Sequence, residues 1–113
     1  PMAGMFEVFT DKSGEFRFRL KAGNGQTVLS SQGYASKSSA MKGIESVRNN
    51  AGDEARFEST ESAGGKFRFT MKAKNNQVIG TSQNYESASG RDNGIAAVAR
   101  AADGATVVDQ TAD

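Results

Sequence analysis

Residues 16–26 read Phe-Arg-Phe-Arg-Leu-Lys-Ala-Gly-Asn-Gly-Gln, and 51 positions later residues 67–77 read Phe-Arg-Phe-Thr-Met-Lys-Ala-Lys-Asn-Asn-Gln. The match runs on in both directions, so the chain is a tandem repeat. This constrains the fold more than any other feature. A unit of this length has one apolar sheet face and one helix to cover it. Alone it would bury too little surface and leave a sheet edge open. Two copies related by a pseudo-twofold axis solve both problems, and 113 residues suit one such domain.

Within each copy the hydrophobic period identifies the elements. Residues 5–10 read as a strand, and Asp11-Lys12-Ser13-Gly14 as a turn. From Phe16 to Ala22 the side chains alternate: Phe16, Phe18, Leu20 and Ala22 to one face, Arg17, Arg19 and Lys21 to the other. Strict alternation means one buried and one wet face. Gly23-Asn24-Gly25 suits a hairpin turn, and Val28 to Ser31 a third strand. Ser36 is placed to cap a helix reaching about Ala51, with Ala40, Ile44, Val47 and Ala51 on one stripe and Asn49, Asn50 and Gly52 closing it.

The second copy repeats the plan. Phe67, Phe69, Met71 and Ala73 face inward, and Arg68, Thr70 and Lys72 outward. Asn75-Asn76 makes the turn, and Val78-Ile79 the third strand. A helix from Ser87 to about Ala102 carries Arg91, Ile95, Val98 and Ala102 on its stripe; Asp103-Gly104 ends it, and Thr106 to Asp109 is a last strand. One extra residue is expected near Thr81. The fold class is therefore α+β: two pseudo-symmetric β-β-β-α(-β) repeats, 5–54 and 55–110, forming one antiparallel sheet with both helices on one face. Residues 1–4 read as a tag remnant and start, and 111–113 as a flexible tail.

Composition excludes several chemistries. The chain has no Cys and no His, which removes thiol nucleophiles, imidazole acid–base catalysis, the Ser-His-Asp triad and zinc sites of the usual kind. The carboxylates Glu45, Asp53, Glu54, Glu58 and Glu61 show no paired spacing for acid–base work, so no enzyme, cofactor or metal is expected. Glycines at 23–25 and 64–65 lie in hairpins rather than between a strand and a helix, so phosphate-loop chemistry fails on context. Pro1 could in principle serve as a general base of the small-tautomerase type, but it precedes a Met that reads as the natural start. No apolar run suits a signal peptide or a membrane span, and the absence of Cys fits a reducing, cytoplasmic setting.

The chain carries two copies of G-x-F-R-F-x-L/M-K-A-x-N, then S-Q-x-Y, then G-I-x-x-V. Together with Gly80-Thr81-Ser82-Gln83-Asn84-Tyr85 and Arg91-Asp92-Asn93-Gly94-Ile95, they resemble the YegP-like family of small bacterial proteins over residues 5–110. The resemblance implies β-β-β-α-β units with the last strand of each unit exchanged to the other. Residues 55–60 would then both close the first unit and open the second. It implies no activity, because the family is similar only to other uncharacterised proteins.

The candidate partner-binding residues are of two kinds. Arg17, Arg19, Lys21, Arg68 and Lys72, with Phe9 as an aromatic platform, could form a basic outer sheet face for single-stranded nucleic acid. Against this, Glu7 and Glu58 share that face and could pair with the cations, and the net charge is only +1. Arg91, Asp92 and Asn93 break the symmetry, since repeat one has Ala40-Met41-Lys42 there. They could hold an anion near a helix start or simply pair with one another. Gly43 and Gly94 sit inside helices, where Gly is unfavourable by about 1 kcal/mol, so a close approach by another group is expected. Tyr34 and Tyr85 read as its structural partners. The expected role is a binding or assembly module with an unknown protein partner or with itself. Weak nucleic-acid binding is the alternative, an enzyme of unknown reaction is a distant third, and a membrane or metal is not expected.

Overall fold

A computed structural model describes residues 3–111; the reading of Pro1 and Met2, and the end of the tail, lie outside them. The elements are β1 (Met5–Thr10), β2 (Phe16–Lys21), β3 (Thr27–Ser31), α1 (Lys37–Asn50), a 3₁₀ turn (Glu54–Arg56), β4 (Phe57–Glu61), β5 (Phe67–Lys72), β6 (Val78–Thr81), α2 (Ala88–Ala102) and β7 (Thr106–Asp109). Among the described residues the strands form one sheet in the order β4-β5-β6-β3-β2-β1-β7. The pseudo-dyad runs between β3 and β6. Ser36 and Ser87 cap the helices as their spacing predicts, each accepting from the N–H three residues on.

Inward residues of the sheet and one face of each helix merge into a single core. Phe6, Val8, Leu20, Leu29, Ile44, Val47, Phe69, Met71 and Val98 are all 0% exposed. This is where the alternation of each strand and the stripe of each helix are satisfied together. The S-Q-x-Y motif also acquires a physical meaning. Ser31 and Ser82 stand where each third strand leaves its neighbour. The Ser31 hydroxyl accepts the Phe18 N–H at 2.8 Å, and Ser82 accepts that of Phe69 at 3.0 Å. Each hydroxyl thus supplies a missing ladder acceptor. Three residues on, Tyr34 and Tyr85 rejoin the sheet by exchanging backbone hydrogen bonds with Phe16 and Phe67.

Three expectations need correction. The sheet is antiparallel except at one edge, where β7 runs parallel to β1. The extra residue near Thr81 is absent: Leu20 faces Leu29 as Met71 faces Gly80, and Arg19 faces Ser30 as Thr70 faces Thr81. Gly80 interrupts the apolar pattern, which is why the copies look shifted. A Cβ there would lie 2.7 Å from the Ser30 carbonyl oxygen and 3.1 Å from Leu29 Cγ, so beside the dyad only one of the paired positions carries a bulky residue. Finally, Gly52 does not end α1 with a left-handed turn. Positive φ is found instead at Gly14, Gly25, Gly65, Gly104 and Asn76, the hairpins and the end of α2.

The strand exchange is present. β4 follows α1 and pairs with β5 of the second repeat, while β7 follows α2 and pairs with β1 of the first. The two exchanges are not equivalent. β1 already holds the place against β2 that β4 holds against β5, so β7 is pushed one lane outward.

Candidate functional site

The outer sheet face carries its cations in pairs. Arg19 Nε donates to Glu7 Oε1 at 2.7 Å, and Lys21 Nζ lies 3.2 Å from the same oxygen. Arg17 Nε reaches Asp11 at 2.7 Å with Glu15 at 3.8 Å, and Lys72 reaches Glu58 at 3.2 Å. Register explains these partners: Glu7 stands opposite Arg19, whereas Glu58 stands opposite Thr70, leaving the neighbouring Lys72 as its partner. Phe9 lies under the Arg19 guanidinium, 4.2 Å from ring centroid to Cζ. Its ring is therefore covered by a cation rather than open for base stacking. Only Arg68 of the five cations makes no ion pair among the described residues, and it is exposed.

Glu7 anchors this network. Its side chain is 9% exposed, and the Arg19 hydrogen bond holds its carboxyl below the usual range, burial opposing and Lys21 assisting. Because the folded-state pKa is depressed, the associated stability is present above the unfolded value of about 4.3 and is lost as pH falls through the folded value. Glu7→Gln is expected to cost about 1 kcal/mol near neutral pH. The gap between variant and parent should shrink as the pH falls below the usual carboxylate range. Urea midpoints across that range check it, and a gap that stays constant or widens on acidification contradicts the assignment.

Arg91, Asp92 and Asn93 do not converge on a pocket for an anion. The Arg91 guanidinium contacts Asp92 at 3.2 Å and lies over the Phe67 ring, 5.6 Å to its centroid, while Asn93 is exposed. Gly43 and Gly94 admit tyrosine rings. The Tyr34 hydroxyl would stand 2.6 Å from a Cβ at Gly43, and Tyr85 presses on Gly94 in the same way. Tyr34 and Tyr85 stack on Phe18 and Phe69 at 6.4 Å, with interplanar angles of 12° and 15°. Burial pushes the Tyr34 phenol up, keeping it neutral.

The surface that sequence reasoning missed is the edge at β4. In an antiparallel pair, alternate residues direct both backbone groups away from the partner strand. At β1 the Val8 carbonyl points outward and accepts the Gln110 N–H at 2.8 Å, in the β7 lane. Ser59 is the residue of β4 equivalent to Val8. Among the described residues no strand lies outside β4, so the Ser59 and Glu61 backbone groups face solvent. Beside them runs a groove of about 390 Å³ lined by Glu54, Phe57, Ser59, Asp92 and Ile95.

Comparison across the dyad defines that groove. Phe6, Val8 and Ile44 are fully buried, whereas their equivalents Phe57 and Ile95 are half-buried and Ser59 is exposed. Val107 of β7 packs against the core on the first side, with no counterpart on the second. One signal in the sequence pointed here: the strand after α2 has no separate counterpart after α1, where only residues 51–56 precede β4.

Comparison with known proteins agrees with the repeat. Residues 11–58 and 62–109 each match the family model described as a domain of unknown function, DUF1508. The chain is 54% identical over 108 residues to the UPF0339 protein in the ptx operon 5′ region of Stutzerimonas stutzeri, covering 96% of this chain and 97% of that one. It is 50% identical over 110 residues to the UPF0339 protein YegP of Escherichia coli K12, covering 97% and 100%. The solution structure of the E. coli protein of unknown function yegP superimposes with a TM-score of 0.94 at 49% identity, covering 100% of this chain and 97% of that one. That of the UPF0339 protein SO3888 of Shewanella oneidensis gives 0.91 at 44%, covering 97% and 93%.

Proposed function

Because the chain belongs to the DUF1508 family, with two copies of the domain and relatives whose names state no activity, we propose from its own geometry that it is a non-enzymatic binding module. It holds an extended protein segment against the outer edge of β4. The observation that carries this is the contrast across the dyad: β7 fills the lane outside β1, and the matching lane outside β4 is open beside a groove where the half-buried Phe57 and Ile95 lie among polar residues. Strand addition supplies backbone hydrogen bonds from the edge and a pocket for alternate side chains.

A second reading, weak binding of single-stranded nucleic acid on the outer face, draws support from the exposed and unpaired Arg68. It is the weaker one, because the other four cations must first break ion pairs.

Ser59→Pro tests the edge. Pro is accepted in an edge strand where the N–H faces solvent, so the substitution should preserve the fold while removing one donor from the lane. Peptides selected from a random display library on the parent protein are expected to lose binding to the Ser59→Pro variant, with circular dichroism unchanged. A library that yields no peptide sensitive to this substitution overturns the reading.

A further inference from the structure

We propose that the segment bound at β4 is basic: an extended strand, parallel to β4, with an apolar residue facing the groove and a Lys or Arg two positions later. This rests on the edge-binding reading above and adds the chemistry of the partner. The template is β7. In its lane Val107 lies in register with Phe6 and packs on the core, and Asp109 lies in register with Val8. Asp109 then meets Lys37 of α1 at 2.8 Å. The strand thus offers the helix an apolar residue and, two positions on, a charge opposite to the helix's own.

The lane outside β4 has the same apolar place and the inverted charge. A residue in register with Phe57 faces the half-buried Phe57 and Ile95, which have lost the cover that Val107 gives their equivalents. A residue in register with Ser59 faces the wall formed by Asp92, whose carboxylate is shared with Arg91 at 3.2 Å, in a groove also bordered by Glu54, which makes no ion pair among the described residues. Ala88 replaces Lys37 at the start of α2, and Asp92 lies one turn further on the same face. Glu54 and Glu61 make no ion pair among the described residues, so negative charge flanks both ends of β4. A cationic strand neutralises this edge, and an acidic one adds like charge to it.

The same charges work against a second copy. Two β4 edges paired antiparallel about Ser59 would set Glu58 opposite Thr60 and Glu61 opposite Phe57, leaving the two Glu58 side chains as diagonal neighbours on one face, a like-charge contact within reach of these long side chains. Acidic side chains on an edge are a common guard against such pairing.

The test uses two fluorescein-labelled peptides of about nine residues, long enough to span β4. One carries lysine two positions after each valine with threonine between them, so that both face the helix, and the other carries glutamate in place of each lysine. Anisotropy titrations with the full chain are expected to show the lysine peptide binding at least about tenfold more tightly. Amide shifts in NMR spectra should be confined to β4 and the first half of α2. Ser59→Pro should abolish this binding. Asp92→Lys, made at a side chain 64% exposed and so safe for the fold, should reverse the preference between the peptides. Equal affinity for both peptides, with both still lost in Ser59→Pro, overturns the basic partner and leaves the edge reading standing. Binding of the lysine peptide that ignores both substitutions, or no binding by either peptide, overturns the inference. So does a dimer in light scattering that Ser59→Pro dissolves.

Discussion

Truncation of Phe18 to Ala is expected to cost about 3–5 kcal/mol, a large part of the 5–15 kcal/mol that holds a typical domain together. Phe18 is 1% exposed on β2. Its ring meets Phe6 edge-on at 5.9 Å and stacks on Tyr34 at 6.4 Å. It also approaches Gly43, where a Cβ would lie 2.9 Å from its Cε2. Removing the ring therefore deletes one partner from three contacts and opens a cavity between the sheet and α1. The neighbours cannot close it easily: Tyr34 is held by two backbone hydrogen bonds to Phe16, and α1 cannot move nearer without driving Gly43 onto the tyrosine. Urea denaturation measures the loss. A loss below about 1 kcal/mol, typical of a surface change, contradicts the packing described.

The second large effect is at Gly43, where two terms of opposite sign compete. In a helix interior Ala is favoured over Gly by about 1 kcal/mol, so Gly43→Ala in an exposed helix would stabilise. Here the added methyl meets the Tyr34 hydroxyl at 2.6 Å and Phe18 Cε2 at 2.9 Å. Real carbon atoms do not approach so closely, and overpacking of a tight core costs about 1–3 kcal/mol. The clash is expected to win, giving a net loss of about 1–2 kcal/mol. Tyr34→Phe deletes the hydroxyl that makes the nearest contact, so the double variant should lose less than the sum of the singles. The coupling expected for such neighbours is about 0.5–3 kcal/mol. Strict additivity would show that the tyrosine is not what keeps the position small.

Gly43 and Gly94 also show how far the sequence could be read. Two glycines at the same place in two helices announce that something comes close, and two tyrosines at matching places supply the something. The Arg-Phe alternation of β2 and β5 announces one dry and one wet face in the same way. These features are local and periodic, and duplication writes each of them twice. The candidate site was less legible. That Glu7 rather than solvent receives Arg19 and Lys21 depends on register between β1 and β2. The covering of Phe9 by Arg19 depends on a diagonal between strands. Neither is a property of one segment.

Repetition, through its constant spacing of 51 residues, by itself determined the elements, the inner and outer faces, and the pseudo-twofold assembly of one domain. Those follow from side-chain period and from the need of each half to bury its sheet face. Only the tertiary structure decided what happens at the two ends of the sheet. Two nearly identical halves must share three strands of the outer kind, β1, β4 and β7, and an odd number cannot be divided symmetrically. β1 takes the place against β2, β7 is left to run parallel outside it, and β4 keeps an open edge. Hydrogen-bond lanes are filled by whole strands, so a difference of one strand leaves one lane open.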